Sequence, residues 1–365
     1  MLSSSAIQLA QYGVLILLKK VMTMTHNQRV DKKGSYYFRR YMILGSILLL
    51  ISTLSSLALG AAEIELGSAW QALFHFDASQ THHQIIWSLR FPRTLADIIV
   101  GASLAVCGAL MQGTTRNPLA DSGLMGISSG AGFAIALSLA FYPQRSYGES
   151  ILFACLGAGV TTGLTYFIAI VGKRGLTPQR LVLAGMSISM LFGAFSSYLS
   201  IRYHLAQSLA YWSAGGTAGA SWSELMIISP LFLLGILGAI IISPNITMLS
   251  LGEEVALGLG LNARVVKGVT TLIVLVLTGL SVILVGPIGF VGLIVPHLVR
   301  YLVGVDYRYI IPASIIYGAL LTVIADLIGR LVNRPFETPI GIIFSLIGVP
   351  FFLYLVRKQG REFEA

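Results

Sequence analysis

Ionisable side chains are scarce in this chain and fall into a few short groups. "LGEEVALGLGLN" at 251–262 places Glu253 beside Glu254 between two long apolar runs, and "RFPRTL" at 90–95 brackets a proline with Arg90 and Arg93. Asp326 and Arg330 stand one helical turn apart, and "HFDASQTHH" gathers His75, Asp77, His82 and His83. Catalysis needs a nucleophile or acid–base pair with an orienting partner, and no Ser/His/Asp, paired-carboxylate or His/Cys set with that spacing stands out. The residue types at 75–83 suit a metal, but their spacing matches no strong site, and a solvated loop explains them more simply. An ion relay wants several ionisable groups converging at mid-membrane, whereas Asp97, His297, Asp326 and Arg330 lie near the ends of apolar runs. The phosphate loop G-x-x-x-x-G-K-[ST] is missing; "VGKRG" at 171–175 lacks both the glycine spacing and the hydroxyl residue. The chain therefore does not hydrolyse ATP itself. What remains for these groups is recognition and internal pairing.

The elements that carry them are set by composition. Of 365 residues 55% are hydrophobic and 11% charged, and the mean hydropathy is +0.81. A soluble domain cannot cover so much apolar surface. Apolar runs of about 20 residues recur, enough for a helix to cross a hydrocarbon core of about 30 Å. They do not alternate polar with apolar, as barrel strands would. The fold class is all-α, a polytopic membrane protein with ten predicted transmembrane helices at roughly 41–62, 93–112, 123–142, 151–172, 180–201, 224–244, 267–286, 288–303, 309–330 and 338–357. An even number puts both termini on one side. Of the 24 lysines and arginines, only Arg90, Arg93, Arg145, Arg202, Arg330 and Arg334 fall on the opposite side, so the positive-inside rule places both termini in the cytoplasm. The net charge of +9 is spread over those inner loops, with no basic stripe and interleaved aromatics for nucleic acid. Cys107 and Cys155 sit inside apolar runs and read as small buried hydrophobes.

The chain divides into a basic leader at 1–40, a membrane domain at 41–358 and a short cytoplasmic tail at 359–365. The polar, basic stretch after Met22 and Met24 marks either methionine as the expected true start, and no signal-peptide cleavage pattern follows the first apolar run. Stretches such as "GASLAVCGALMQG" and "GISSGAGFAIALSLA" predict close helix–helix approach. "VGPIGFVGLIVPH" and "ETPIGIIFSLIGVP" predict broken or short helices, which hydrocarbon tolerates only where they are buried or line a cavity.

Three segments carry more specific expectations. Arg90 and Arg93 are either headgroup anchors or a docking site for an acidic partner. In "RNPLADSGLMGISSG", Asn117-Pro118 breaks the chain and Asp121 or Ser122 is positioned to cap the next helix. At 251–262, Glu253, Glu254, Val255, Ala256, Leu257 and Leu259 form a short amphipathic helix ended by Gly258 and Gly260, after which Leu261 and Asn262 begin another turn. An acidic apolar patch is ill suited to an anionic lipid surface and better suited to a protein groove; the plain alternative is a solvated loop.

Together these segments resemble one family. "RFPRTLADIIVGASLAVCGALMQGTTRNPLADSGLMGISSGAG" at 90–132, "LGEEVALGLGLN", "GPIGFVGLIVPHLVR" with Pro296 and His297, and "ADLIGRLVNRPFETPIGIIFSLIGVPFF" at 325–352 are similar, in the right order, to permease subunits of binding-protein-dependent ABC importers of the FecCD family. The resemblance covers about residues 41–358 and leaves the leader outside it. It implies a vitamin B12 importer permease-like fold that pairs with a second permease subunit as a homo- or heterodimer, two ABC ATPase subunits beneath, and an extracytoplasmic substrate-binding protein above, in a bacterial cytoplasmic membrane. It implies that Gly252, Glu253, Glu254, Val255, Ala256, Leu257, Gly258, Leu259, Gly260, Leu261 and Asn262 form an ATPase-coupling loop of two short helices. It also implies that Arg90, Arg93 and Arg330 face glutamates of the binding protein. This chain would bind no cofactor, and the ATPases would use magnesium ATP. Ferric siderophore is the expected cargo, with haem and cobalamin as alternatives. An ion-coupled secondary transporter is the reading from outside the class.

Overall fold

The computed structural model describes residues 37–60, 67, 71–72, 74–121, 126–144, 146–171, 178–333 and 336–364; the expected leader and start methionines lie almost wholly outside these. Regular structure among the described residues is entirely helical. In chain order the helices are α1 (Tyr37–Ala58), α2 (Thr81–Thr115), α3 (Ile127–Phe141), α4 (Tyr147–Val171), α5 (Pro178–Arg202), α6 (Ala206–Ala214), α7 (Trp222–Ser250), α8 (Glu253–Gly258), α9 (Ala263–Val285), α10 (Val291–Val303), α11 (Tyr307–Val332) and α12 (Ile340–Glu364). The ten expected spans correspond to all of these but α6 and α8.

Eight of the ten are long and apolar enough to cross a membrane; α3 and α10 are not, with 15 and 13 residues. At about 1.5 Å per residue they reach only ~20 Å. Left-handed backbone at Gly126 and Phe290 starts both helices later than expected. α9 stops at Val285 and α10 resumes at Val291, so the Gly286-Pro287 break is real. Pro350, by contrast, sits inside a continuous α12, whose helix also includes the expected tail as far as Glu364. Pro244 likewise does not end α7, predicted to stop there. The Ile240 carbonyl that proline leaves without an N–H accepts from the Ser243 hydroxyl at 2.7 Å, and the helix runs on to Ser250.

α2 is the axis of the bundle. Its most apolar window is 89% buried, against 22% for α5, and α7, α9, α10 and α11 all pack on it. Small residues make that possible. A Cβ on Gly108 would collide with the Gly292 backbone of α10, and one on Gly101 with the Gly318 carbonyl of α11. α3 and α4 meet in the same way at Gly130 and Gly157. Much of α1, α5, α7 and α12 remains uncovered by the chain and carries large apolar side chains. Such faces require hydrocarbon or an apolar partner.

This contact is testable. Gly108→Ala is expected to cost roughly 1–3 kcal/mol, because backbone rather than a movable side chain must give way. Gly268→Ala, on α9 with nothing within 4 Å of the new methyl, should be neutral or slightly stabilising. Thermal unfolding in detergent compares the two.

Candidate functional site

The end of the bundle expected to face the cytoplasm presents the segment at 252–262. Gly252 takes φ +132° and Gly260 φ +81°, values that suit glycine, and they turn the chain sharply at either end of α8. Ala256 is fully buried, whereas Val255, Leu257 and Leu259 are 49%, 57% and 63% exposed. The buried methyl seats α8 on α7 and α9, and the apolar edge points away from the chain. Glu253 accepts from Lys267 Nζ of α9 at 2.7 Å; Glu254 is exposed. Asn262 does not begin a second short helix. Its side chain accepts from the Val265 N–H and caps α9 directly.

A latch stiffens the base of this projection. Asp306, the N-cap of α11, accepts from Thr247 Oγ1 of α7 at 2.9 Å, and the Tyr307 N–H donates back to Thr247 at 2.9 Å. Burial raises the Asp306 carboxyl, but the bonds from Arg308 and Thr247 outweigh it and hold the group below its ordinary range.

At the opposite end, expected to face outward, the arginines are placed otherwise than expected. "RFPRTL" does not precede α2 but lies within it. A π-helical turn at Ile86–Arg90 resets the backbone just before Pro92, which then sits at the start of the regular α-helix, where its missing N–H costs little. Arg90 is thereby turned inward. It is 6% exposed and donates to the carbonyls of Leu57 and Ala58 at 2.8 and 2.7 Å, satisfying the C-terminal end of α1. Arg330 is 3% exposed. It donates to the Ser56 carbonyl at 3.0 Å and to the Ser56 hydroxyl, and lies 2.9 Å from Asp326 Oδ2, out of line for a hydrogen bond to that oxygen. Arg93 spans the remaining gap. Nε and Nη2 donate to Asp326 Oδ1 at 3.1 and 2.8 Å, and Nη1 donates to both oxygens of Glu337 at 2.9 and 2.8 Å. Thr217 also donates to Asp326 Oδ1, at 3.3 Å. The trio therefore ties α1, α2, α11 and the segment before α12 together, and only Arg93 shares its guanidinium with a partly exposed carboxylate. Asp97 is fully buried beside this network, with neither oxygen accepting a hydrogen bond.

The other residues singled out are structural in place. Asn117 Oδ1 accepts from the Leu119 N–H at 3.0 Å, closing a turn across Pro118, and Arg116 ends α2 with φ 52°. Asp121 is not the cap of α3. The N-cap of α3 is Gly126, without a side-chain bond, and Asp121 instead lies against Gly292 of α10; Ser122 is outside the described residues. Pro296 is buried within α10, and the His297 ring meets Phe351 of α12 edge-on at 5.6 Å. His83 is buried and accepts from the Asp77 N–H at 3.1 Å; no metal-binding group occurs among the described residues. Glu337, Thr217, Ser56 and Lys267 were not foreseen. Asp306, directly before an apolar run, was legible as an N-cap.

Among the described residues the chain is an all-helical bundle, eight of whose helices are long and apolar enough to cross a membrane, with a short helix projecting at one end and a charge network at the other. Residues 48–358 match the FecCD transport family, and the chain belongs to it. It is 47% identical over 320 residues to the iron(3+)-hydroxamate import system permease protein FhuB of Bacillus subtilis, covering 88% of this chain and 83% of that one. It is 36% identical to the hemin transport system permease protein HmuU of Yersinia pestis, covering 88% and 97%. An inward-facing metal-chelate type ABC transporter superposes with a TM-score of 0.77 at 29% identity, over 88% of this chain and 99% of that one.

The outer network generates a contrast. Asp326→Asn removes the counter-charge shared by buried Arg330 and half-buried Arg93 and is expected to cost about 3–5 kcal/mol, whereas Glu337→Gln at the exposed edge should cost below about 1 kcal/mol. The yield and melting temperature of purified protein separate them.

Proposed function

We propose that this chain is the membrane-spanning permease subunit of an ATP-driven importer that carries ferric chelates, siderophores above all, into a bacterial cytoplasm. The supporting observation is its 47% identity, along nearly its whole length, to a permease named for iron(3+)-hydroxamate import. In this reading both termini are cytoplasmic, a second permease subunit covers part of the apolar faces, and a substrate-binding protein docks outside. The chain binds no cofactor; magnesium ATP is consumed by two separate ATPase subunits. α8 is the contact with them. Its exposed Val255, Leu257 and Leu259 suit a protein groove. Because Ala256 and the Glu253–Lys267 pair anchor it to its neighbours, a push on α8 is delivered to α7 and α9, both packed on α2. Arg93 is the docking arginine that this geometry favours, since Arg90 and Arg330 are consumed inside the network. A haem cargo is the second reading, favoured by the 36% relative named for hemin transport.

Uptake of labelled ferric trihydroxamate, ferric dicitrate, haem and cobalamin into cells with and without the chain tests the cargo. A ferric chelate is expected to require the chain and ATP; dependence on haem or cobalamin alone overturns the iron reading. Leu257→Asp should leave the chain folded, since the side chain is exposed, yet abolish co-purification of the ATPase and lower uptake by about ten-fold or more. Undiminished assembly and uptake would remove α8 from the coupling role.

A further inference from the structure

Two cavities flank Trp212 of α6, and they differ in electrical character. The outer one, about 280 Å³, is lined by Arg93, Glu224, Asp326 and Glu337 among others. The other, about 450 Å³, opens between α3, α5 and α6 and has no ionisable residue in its lining. Its polar groups are hydroxyls: Ser128 and Ser129 on α3, Ser196, Ser197 and Ser200 on α5, and Ser213 on α6. Trp212 lines both cavities. Its ring lies so near α3 that a Cβ on Gly132 would sit 2.9 Å from it. The nearest cation along α5, Arg202, is turned to the Tyr203 ring, 5.7 Å from its centroid.

The backbone around this groove is broken. α5 ends at Arg202, α6 is only 9 residues long, and the Gly286-Pro287 interruption brings Pro287 into the wall. Interrupted helices within a membrane bundle are tolerated where they are buried in protein or line a cavity, and Pro287 lines this one. The volume lies in the range of small-molecule sites. The serines face it in a defined way. Ser196, Ser197 and Ser213 donate to the carbonyls of Phe192, Gly193 and Ala210 on their own helices. Their oxygens are left as acceptors toward the groove.

We infer that this groove is the cargo-facing surface of the chain, and that it takes an electroneutral iron chelate with N–H or O–H groups on its periphery in preference to an anionic, carboxylate-rich one. The inference rests on the importer reading and narrows its substrate class. Ferric ion bound by three hydroxamates carries no net charge, and its amide periphery offers donors to the serine oxygens. A ferric citrate carries excess negative charge and presents mainly acceptors. In a groove whose lining holds no cation, that charge has nothing to offset the hydration it loses on contact.

The test is thiol labelling in energised cells. Ser197→Cys is placed in a chain carrying Cys107→Ala and Cys155→Ala, with Ser79→Cys in the exposed outer loop as the reference. A neutral methanethiosulfonate should label position 197 about ten-fold faster than a sulfonated, anionic one, relative to the reference. Excess ferric trihydroxamate should slow that labelling several-fold, and equimolar ferric dicitrate should not. No labelling, equal rates for the two reagents, or equal protection by the two chelates overturns the inference. If Ser197→Cys fails to accumulate, Ser129→Cys probes the facing wall with the same outcomes. Uptake by the unmodified chain keeps the two failures apart. If no iron chelate requires the chain, the importer reading falls; if one does but protection is unselective, only the groove assignment falls.

Discussion

Everything in this bundle depends on how closely backbones approach α2. Lipid is as apolar as a leucine side chain, so no hydrophobic force drives helices together within it, and packing must come from contact. Gly101 against Gly318 and Gly108 against Gly292 bring α11 and α10 onto α2 backbone to backbone. That contact puts Arg93 of α2 within reach of Asp326 on α11. It also allows α10, too short to span, to be held inside the protein.

The two ends of the bundle solve different problems with the same few charges. Outside, burying Arg90, Arg93 and Arg330 is tolerable because each meets a carboxylate or the carbonyls that end α1. The network closes the outer end and leaves Glu337 as its exposed edge. Inside, Glu253 is paired with Lys267, and the apolar side chains of α8 are left outward. A soluble domain would bury those side chains. Here they stay exposed, the face that the proposed ATPase contact would cover.

Trp212 separates the charged end from an uncharged, hydroxyl-lined groove. A transporter must bind its cargo weakly enough to release it, and serine oxygens offer moderate, reversible contacts where a lysine or glutamate would hold a counter-charge tightly. Under the proposed groove assignment, specificity for charge follows from what the groove lacks as much as from what it contains.

Hydropathy and loop charge alone determined the all-helical membrane class and the ten apolar segments, because the cost of exposing backbone or charge to hydrocarbon leaves few alternatives; the family was legible in four ordered segments, at 90–132, 251–262, 286–300 and 325–352. The α8 helix was legible too, since Gly252 and Gly260 bracket an amphipathic, acidic run. Other features depended on groups distant in sequence. Whether a proline ends a helix was decided by a neighbouring hydroxyl, as with Ser243 at Pro244, or by a π-turn, as before Pro92. The roles of Arg90 and Arg330 were decided by the end of α1, which lies over Ser56 to Leu59 and consumes both side chains. Spacing along the chain carries no record of that meeting. It exists only once α1, α2 and α11 have packed, because a buried guanidinium must find its acceptors wherever the fold has placed them.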